Sequence, residues 1–103
     1  MGRMSLKEPG FHITDAKGFH ITFENGWTVS VQFGPGNYSG NYDRSFRAEG
    51  PLPPSHTAEV AAWPNGGDMI ALGDGDSVAG WQTPAQVLAL LNDIAARPAT
   101  AEA

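Results

Sequence analysis

The chain has 103 residues, 41% of them hydrophobic and 17% charged, with a formal charge of −5 and no cysteine. That length holds one domain and not two, and the apolar fraction separates the sequence from disordered chains. The missing cysteine excludes disulfides, thiolate metal sites and a cysteine nucleophile, and six scattered Lys and Arg against eleven acids argue against phosphate-backbone binding. No apolar run approaches the roughly 18 residues that cross a bilayer, and the first ten residues lack the apolar core of a signal peptide. A cytoplasmic protein with neither membrane nor nucleic-acid partners is expected.

Residues 1–9 and 97–103 are polar or small and each stretch carries a proline, so they are read as flexible ends of a single domain spanning 10–96. From Phe11 to Phe33 the pattern has period two. Phe11, Ile13, Phe19, Ile21, Phe23, Trp27, Val29, Val31 and Phe33 are all odd-numbered, and the even positions between them are mainly His, Thr and Ser. Alternate side chains of a strand point to opposite faces, so these strands have one apolar and one polar side. Keeping odd residues on one face requires antiparallel partners whose numbers sum to an even value. Three-residue loops at Ala16-Lys17-Gly18 and Glu24-Asn25-Gly26 satisfy this, pairing Ile13 with Ile21, Phe11 with Phe23, Phe23 with Trp27 and Ile21 with Val29.

A long loop, 34–57, follows. Beyond it Val60 and Ala62 are expected to pair with Leu72 and Ile70 around Asn65-Gly66-Gly67, leaving Trp63, Met69 and Ala71 on the opposite face; a short strand is also expected within Ser77 to Gln82. The clearest element is a helix. Thr83 is its N-cap, Pro84 its first residue and Gln86 the partner in a capping box, while Val87, Leu88, Leu91, Ile94 and Ala95 form one apolar stripe and Pro98 follows its end. The fold class is therefore α+β: an antiparallel sheet of five to six short strands in consecutive hairpins, with one C-terminal amphipathic helix packed on one face.

Sites of known chemistry fit poorly. His12 and His20 are expected as diagonal neighbours on a solvated polar face, and two imidazoles fall short of the three or four ligands that zinc takes. Asp74 and Asp76 open like a calcium loop, but Val78 occupies the next alternate position and no bidentate Glu follows. The glycine-rich start at Gly34 lacks the Lys-Ser/Thr ending of a phosphate loop. A triad from Ser39 or Ser45, His56 and Asp43 has no strand-to-helix elbow to hold it. No catalytic residue, metal or cofactor is assigned.

The long loop remains. It places Asn37, Tyr38, Asn41, Tyr42, Arg44 and Arg47 in one stretch, residue types that give rigid contact area and directional hydrogen bonds. With Trp63 and Met69 these are the candidate ligand- or partner-binding residues.

The run G-W-T-V-S-V-Q-F-G-P-G-N-Y at 26–38, with A-E-V-A-A-W at 58–63 and V-A-G-W-Q-T-P-A-Q-V at 78–87, resembles small proteins of unannotated function encoded by phages and prophages of actinobacteria. The resemblance implies an accessory phage protein acting in the cytoplasm of a bacterial host. The expectation is then a non-enzymatic binding protein that takes a host protein or a small nucleotide-like ligand and inhibits host defence. The alternative is an assembly protein that self-associates through Trp63 and Met69; a small hydrolase or metal-dependent enzyme is the least favoured reading.

Overall fold

The computed structural model describes residues 8–14, 17–33, 54–72 and 75–100. Five strands, β1 (Gly10–Ile13), β2 (Gly18–Thr22), β3 (Trp27–Gln32), β4 (Ala58–Pro64) and β5 (Ala79–Gln82), precede one helix, α1 (Pro84–Ala95). The strands lie in chain order in a single antiparallel sheet, β1-β2-β3-β4-β5. The α+β arrangement expected from the sequence is the one observed.

The even-sum rule governs every pair of the first three strands. Between β2 and β3 the expected register is found, with Ile21 opposite Val29. The connecting turn closes through Phe23 N–H to the Trp27 carbonyl at 2.8 Å, and Gly26 takes φ +90°. Between β1 and β2 the register differs from expectation by two residues, which keeps the apolar residues on the same face. Phe11 faces Ile21, Ile13 faces Phe19, and His12 lies directly opposite His20 rather than diagonal to it. The cause is Gly18, which belongs to the strand and not to the loop. The Thr14 amide bonds the Gly18 carbonyl at 3.1 Å, and a Cβ on Gly18 would strike the Val31 carbonyl of β3 and come within 2.8 Å of Gln32 Cα. A glycine inside a strand often marks such a close backbone approach.

The fifth strand also corrects the sequence-based pairing. β4 is flanked by Ala79–Gln82, with Ala58 opposite Gln82 and Val60 opposite Ala79, not by residues 68–72. The Ile70 amide does bond the Ala62 carbonyl at 2.9 Å, but the chain then departs through an isolated bridge between Leu72 and Asp76.

The helix begins as its sequence dictates. The Thr83 hydroxyl accepts from the Gln86 amide at 3.2 Å, and the Gln86 side-chain oxygen accepts from the Thr83 amide at 2.8 Å. Its inward stripe is Val87, Leu90, Leu91 and the fully buried Ile94; Leu88, expected in the stripe, is 58% exposed. At about 100° per residue, Leu90 lies closer to the arc centred on Ile94 than Leu88 does. This stripe covers Val29 and Val31 of β3 and Val60 and Ala62 of β4, which form the core.

Helix ends leave carbonyls without partners inside the helix. Here they are met from 69 residues away: Asn25 Nδ2, in the β2–β3 turn, donates to the carbonyls of Ile94 (2.9 Å), Ala95 (3.3 Å) and Arg97 (3.0 Å). Asn25 Oδ1 accepts from the Trp27 amide at 3.1 Å, and the Asn25 carbonyl accepts from the Thr100 amide at 2.8 Å. Residues 97–100, read from sequence as part of a loose end, are thus held under the turn, where the Arg97 guanidinium also lies 4.9 Å from the centre of the Trp27 ring.

Candidate functional site

The second face of the sheet carries the even-numbered residues of β2 and β3. It was expected to be solvated, yet Thr22, Thr28 and Ser30 are buried along with Ala61. The register explains this. His20 in β2 and Trp63 in β4 flank β3, and their rings meet edge to face at 5.1 Å, so they close over the small side chains between them. Beneath, the Thr22 and Thr28 hydroxyls bond each other at 2.8 Å, which meets the need of buried hydroxyls for partners. Trp63 is therefore half-buried and engaged within the fold, while Met69 is 47% exposed. His12 stands beside His20 at the rim with ring centres 6.0 Å apart. Among the described residues, no three His, Asp or Glu side chains come together as a metal would need.

On the helix side, an apolar groove of about 280 Å³ runs along the first two turns of α1. Val31 and Phe33 of the β3 end, Ala58 of β4, and Val87, Leu88 and Leu91 of α1 make its walls; Ser55, His56 and Gln82 supply polar groups. The Ser55 hydroxyl donates to the Thr57 carbonyl at 2.7 Å, which holds the approach to β4 in a local turn. A larger hollow of about 420 Å³ on the other flank of α1 has the Asp93–Arg97 ion pair among its lining residues. It offers a less apolar surface than the groove.

Six of the candidate residues, Asn37, Tyr38, Asn41, Tyr42, Arg44 and Arg47, lie outside the described residues, as do Asp43, Ser39, Ser45 and Asp74. The chain leaves the described structure after Phe33 and returns at Pro54, so both flanks of that segment adjoin groove residues, Phe33 on one side and Ser55 to Ala58 on the other. The groove itself was not foreseen. Its walls come from three separate parts of the sequence, and the one available signal was Leu88, an apolar residue at the margin of the helix stripe.

Thr57 sits in the groove lining with its hydroxyl oxygen buried and without a hydrogen-bond partner among the described residues. An unmet buried hydroxyl costs about 1–3 kcal/mol. Thr57→Val should therefore stabilise the protein by about 1 kcal/mol, read as a higher midpoint in chemical denaturation at unchanged slope.

Comparison with known protein families, with curated proteins and with solved structures finds no match.

Proposed function

We propose that this chain is a non-enzymatic binding protein, an accessory phage protein that acts on a protein of its bacterial host and inhibits a host defence. The observation that supports this most is the groove between α1 and the β3–β4 end of the sheet. Its walls are almost wholly apolar, and no Lys or Arg lines it among the described residues, which favours an apolar side chain of a protein over a nucleotide. Its volume of about 280 Å³ lies at the lower end of the range for ligand pockets, enough for one or two side chains. The segment carrying Tyr38, Tyr42, Arg44 and Arg47 runs in sequence between Phe33 and Ser55, two of the residues that line the groove.

The test uses affinity-tagged full-length protein incubated with host lysate, followed by mass spectrometry for proteins and for nucleotides. Leu88→Asp places a charge on the exposed groove wall without touching the core. The expected result is a specific host protein retained by wild type, lost at least tenfold in Leu88→Asp and weakened in Tyr38→Ala/Tyr42→Ala. Equal retention by all three proteins would overturn the groove reading, and retention of a nucleotide alone would replace the protein partner with a small ligand.

A further inference from the structure

We infer that β1 is a docking edge for a second copy of this chain, paired antiparallel about a twofold axis through His12. β1 is the end strand of the sheet, and among the described residues it pairs on one side only, with β2. The Thr14 amide bonds the Gly18 carbonyl, and hydrogen-bonded pairs alternate along an antiparallel ladder, so Gly10 and His12 also turn their backbone groups toward β2. The N–H and C=O groups of Phe11 and Ile13 accordingly point out of the sheet.

Native edges usually carry a device against such pairing: a proline, an inward charge, a bulge or a twist. The opposite edge has such irregularities. The register slips between Ala58 and Val60, and Trp81 in β5 sits at φ +49°. Gly10–Ile13 contains no proline, acid or Lys, and its one backbone irregularity, φ +143° at Gly10, precedes residues 11 to 13. Its apolar side chains are also uncovered, with Phe11 79% and Ile13 78% exposed, because α1 contacts only β3, β4 and β5.

The ladder requires a strand as occupant, and the side chains require one with apolar residues on one face and a polar residue between them. β1 is itself such a strand. With His12 on the axis, Phe11 of each copy lies opposite Ile13 of the other, on the same face, and both residues exchange both backbone bonds across the interface. A register shifted one way would set Ile13 against Pro9, which has no N–H to give. The chosen register needs only residues 11 to 13. Two apolar side chains on a four-residue strand bury less than the standard interface, so the dimer should be weak, with a dissociation constant on the order of 10–100 µM.

Sedimentation equilibrium of the full chain from low micromolar to millimolar concentration tests this. Wild type should pass from monomer to dimer, and Ile13→Lys, at a position already exposed, should weaken the dimer at least tenfold while keeping the wild-type melting temperature. Because the chain has no cysteine, His12→Cys gives a clean second reading. Residues facing each other across the axis fall within the separation that disulfides span, so mild oxidation should yield a covalent dimer with His12→Cys and far less with Phe11→Cys. A wild type that stays monomeric throughout, a dimer that survives Ile13→Lys, or equal crosslinking of the two cysteine variants would overturn the inference. So would a monomeric wild type that loses capture of a different protein on Ile13→Lys, since the edge would then serve a foreign strand.

Discussion

Gly18→Ala should destabilise the protein by about 3–4 kcal/mol, lowering the melting temperature by roughly 12–25 °C. Two costs combine. Gly18 sits at φ +155° next to an extended partner strand, a region L side chains rarely adopt, and forcing a side chain there costs about 1–3 kcal/mol. The added Cβ would also collide with the Val31 carbonyl and crowd Gln32 Cα, both backbone atoms of a central strand. Backbone held in a ladder cannot step aside as a side-chain tip can, so β2 and β3 would have to separate at Gly18 and Gln32, where the Phe33 amide bonds the Lys17 carbonyl at 2.8 Å. Gly10→Ala provides the control. Gly10 has a similar φ of +143° but nothing within 4 Å of its would-be Cβ, so it carries the conformational cost without the collision. Thermal melts of both variants should show Gly18→Ala falling at least twice as far; equal losses would show that the collision is relieved by adjustment of the strands.

Asn25→Ala should cost about 2–4 kcal/mol, a larger effect than truncating an ordinary half-buried turn residue, because it removes several bonds at once. The carbonyls of Ile94, Ala95 and Arg97 lose their shared donor, and the Trp27 amide loses its acceptor. Asn25→Asp is the sharper probe. It keeps the shape and the acceptor for Trp27 but replaces the amide donor with a carboxylate beside carbonyls at the negative end of the helix dipole. Near neutral pH it should be at least as destabilising as alanine. Burial beside those oxygens raises the new acid's folded-state pKa above its unfolded value, so the damage is present above the folded pKa and disappears as the pH falls below the unfolded one. Denaturation of the two variants across that pH range checks this: the gap between Asn25→Asp and Asn25→Ala should narrow or reverse as the pH falls.

These two residues also show what a single sequence can and cannot convey. Period-two alternation from Phe11 to Phe33 fixed which side chains share a face, and parity carried through to the β2–β3 register. Thr83, Pro84 and Gln86 marked the helix start because capping is local chemistry, readable within four residues. Gly18 misled because glycine serves equally at a turn and at a close approach between strands; only the position of Val31 decides. The role of Asn25 lies 69 residues away from its partner and leaves no local pattern. Residues 68–72 and 79–82 are both short and apolar, and which one flanks β4 depends on tertiary pairing. Leu88 and Leu90 both border the helix stripe, and the choice follows from where Ile94 is buried. The aromatic and arginine run after Gly34 announced itself by composition, whereas the groove beside it arises from residues that only folding brings together.

The order of strands in the sheet has a kinetic consequence. Each strand pairs with its neighbour in sequence, so most of the sheet can zip together from local hairpins, the quick route for β structure. The β2–β3 hairpin, closed by Phe23 and Trp27, is the natural first piece. The exception is the β3–β4 pairing, which must close the connection from Gln32 to Ala58 before Val29, Val31, Val60 and Ala62 can meet. That closure is a cost the local hairpins do not carry. Its entropy grows only with the logarithm of loop length, so even doubling the connection adds only about 0.6 kcal/mol. Changes in the length of the stretch between Phe33 and Pro54 should therefore have little effect on whether the protein folds.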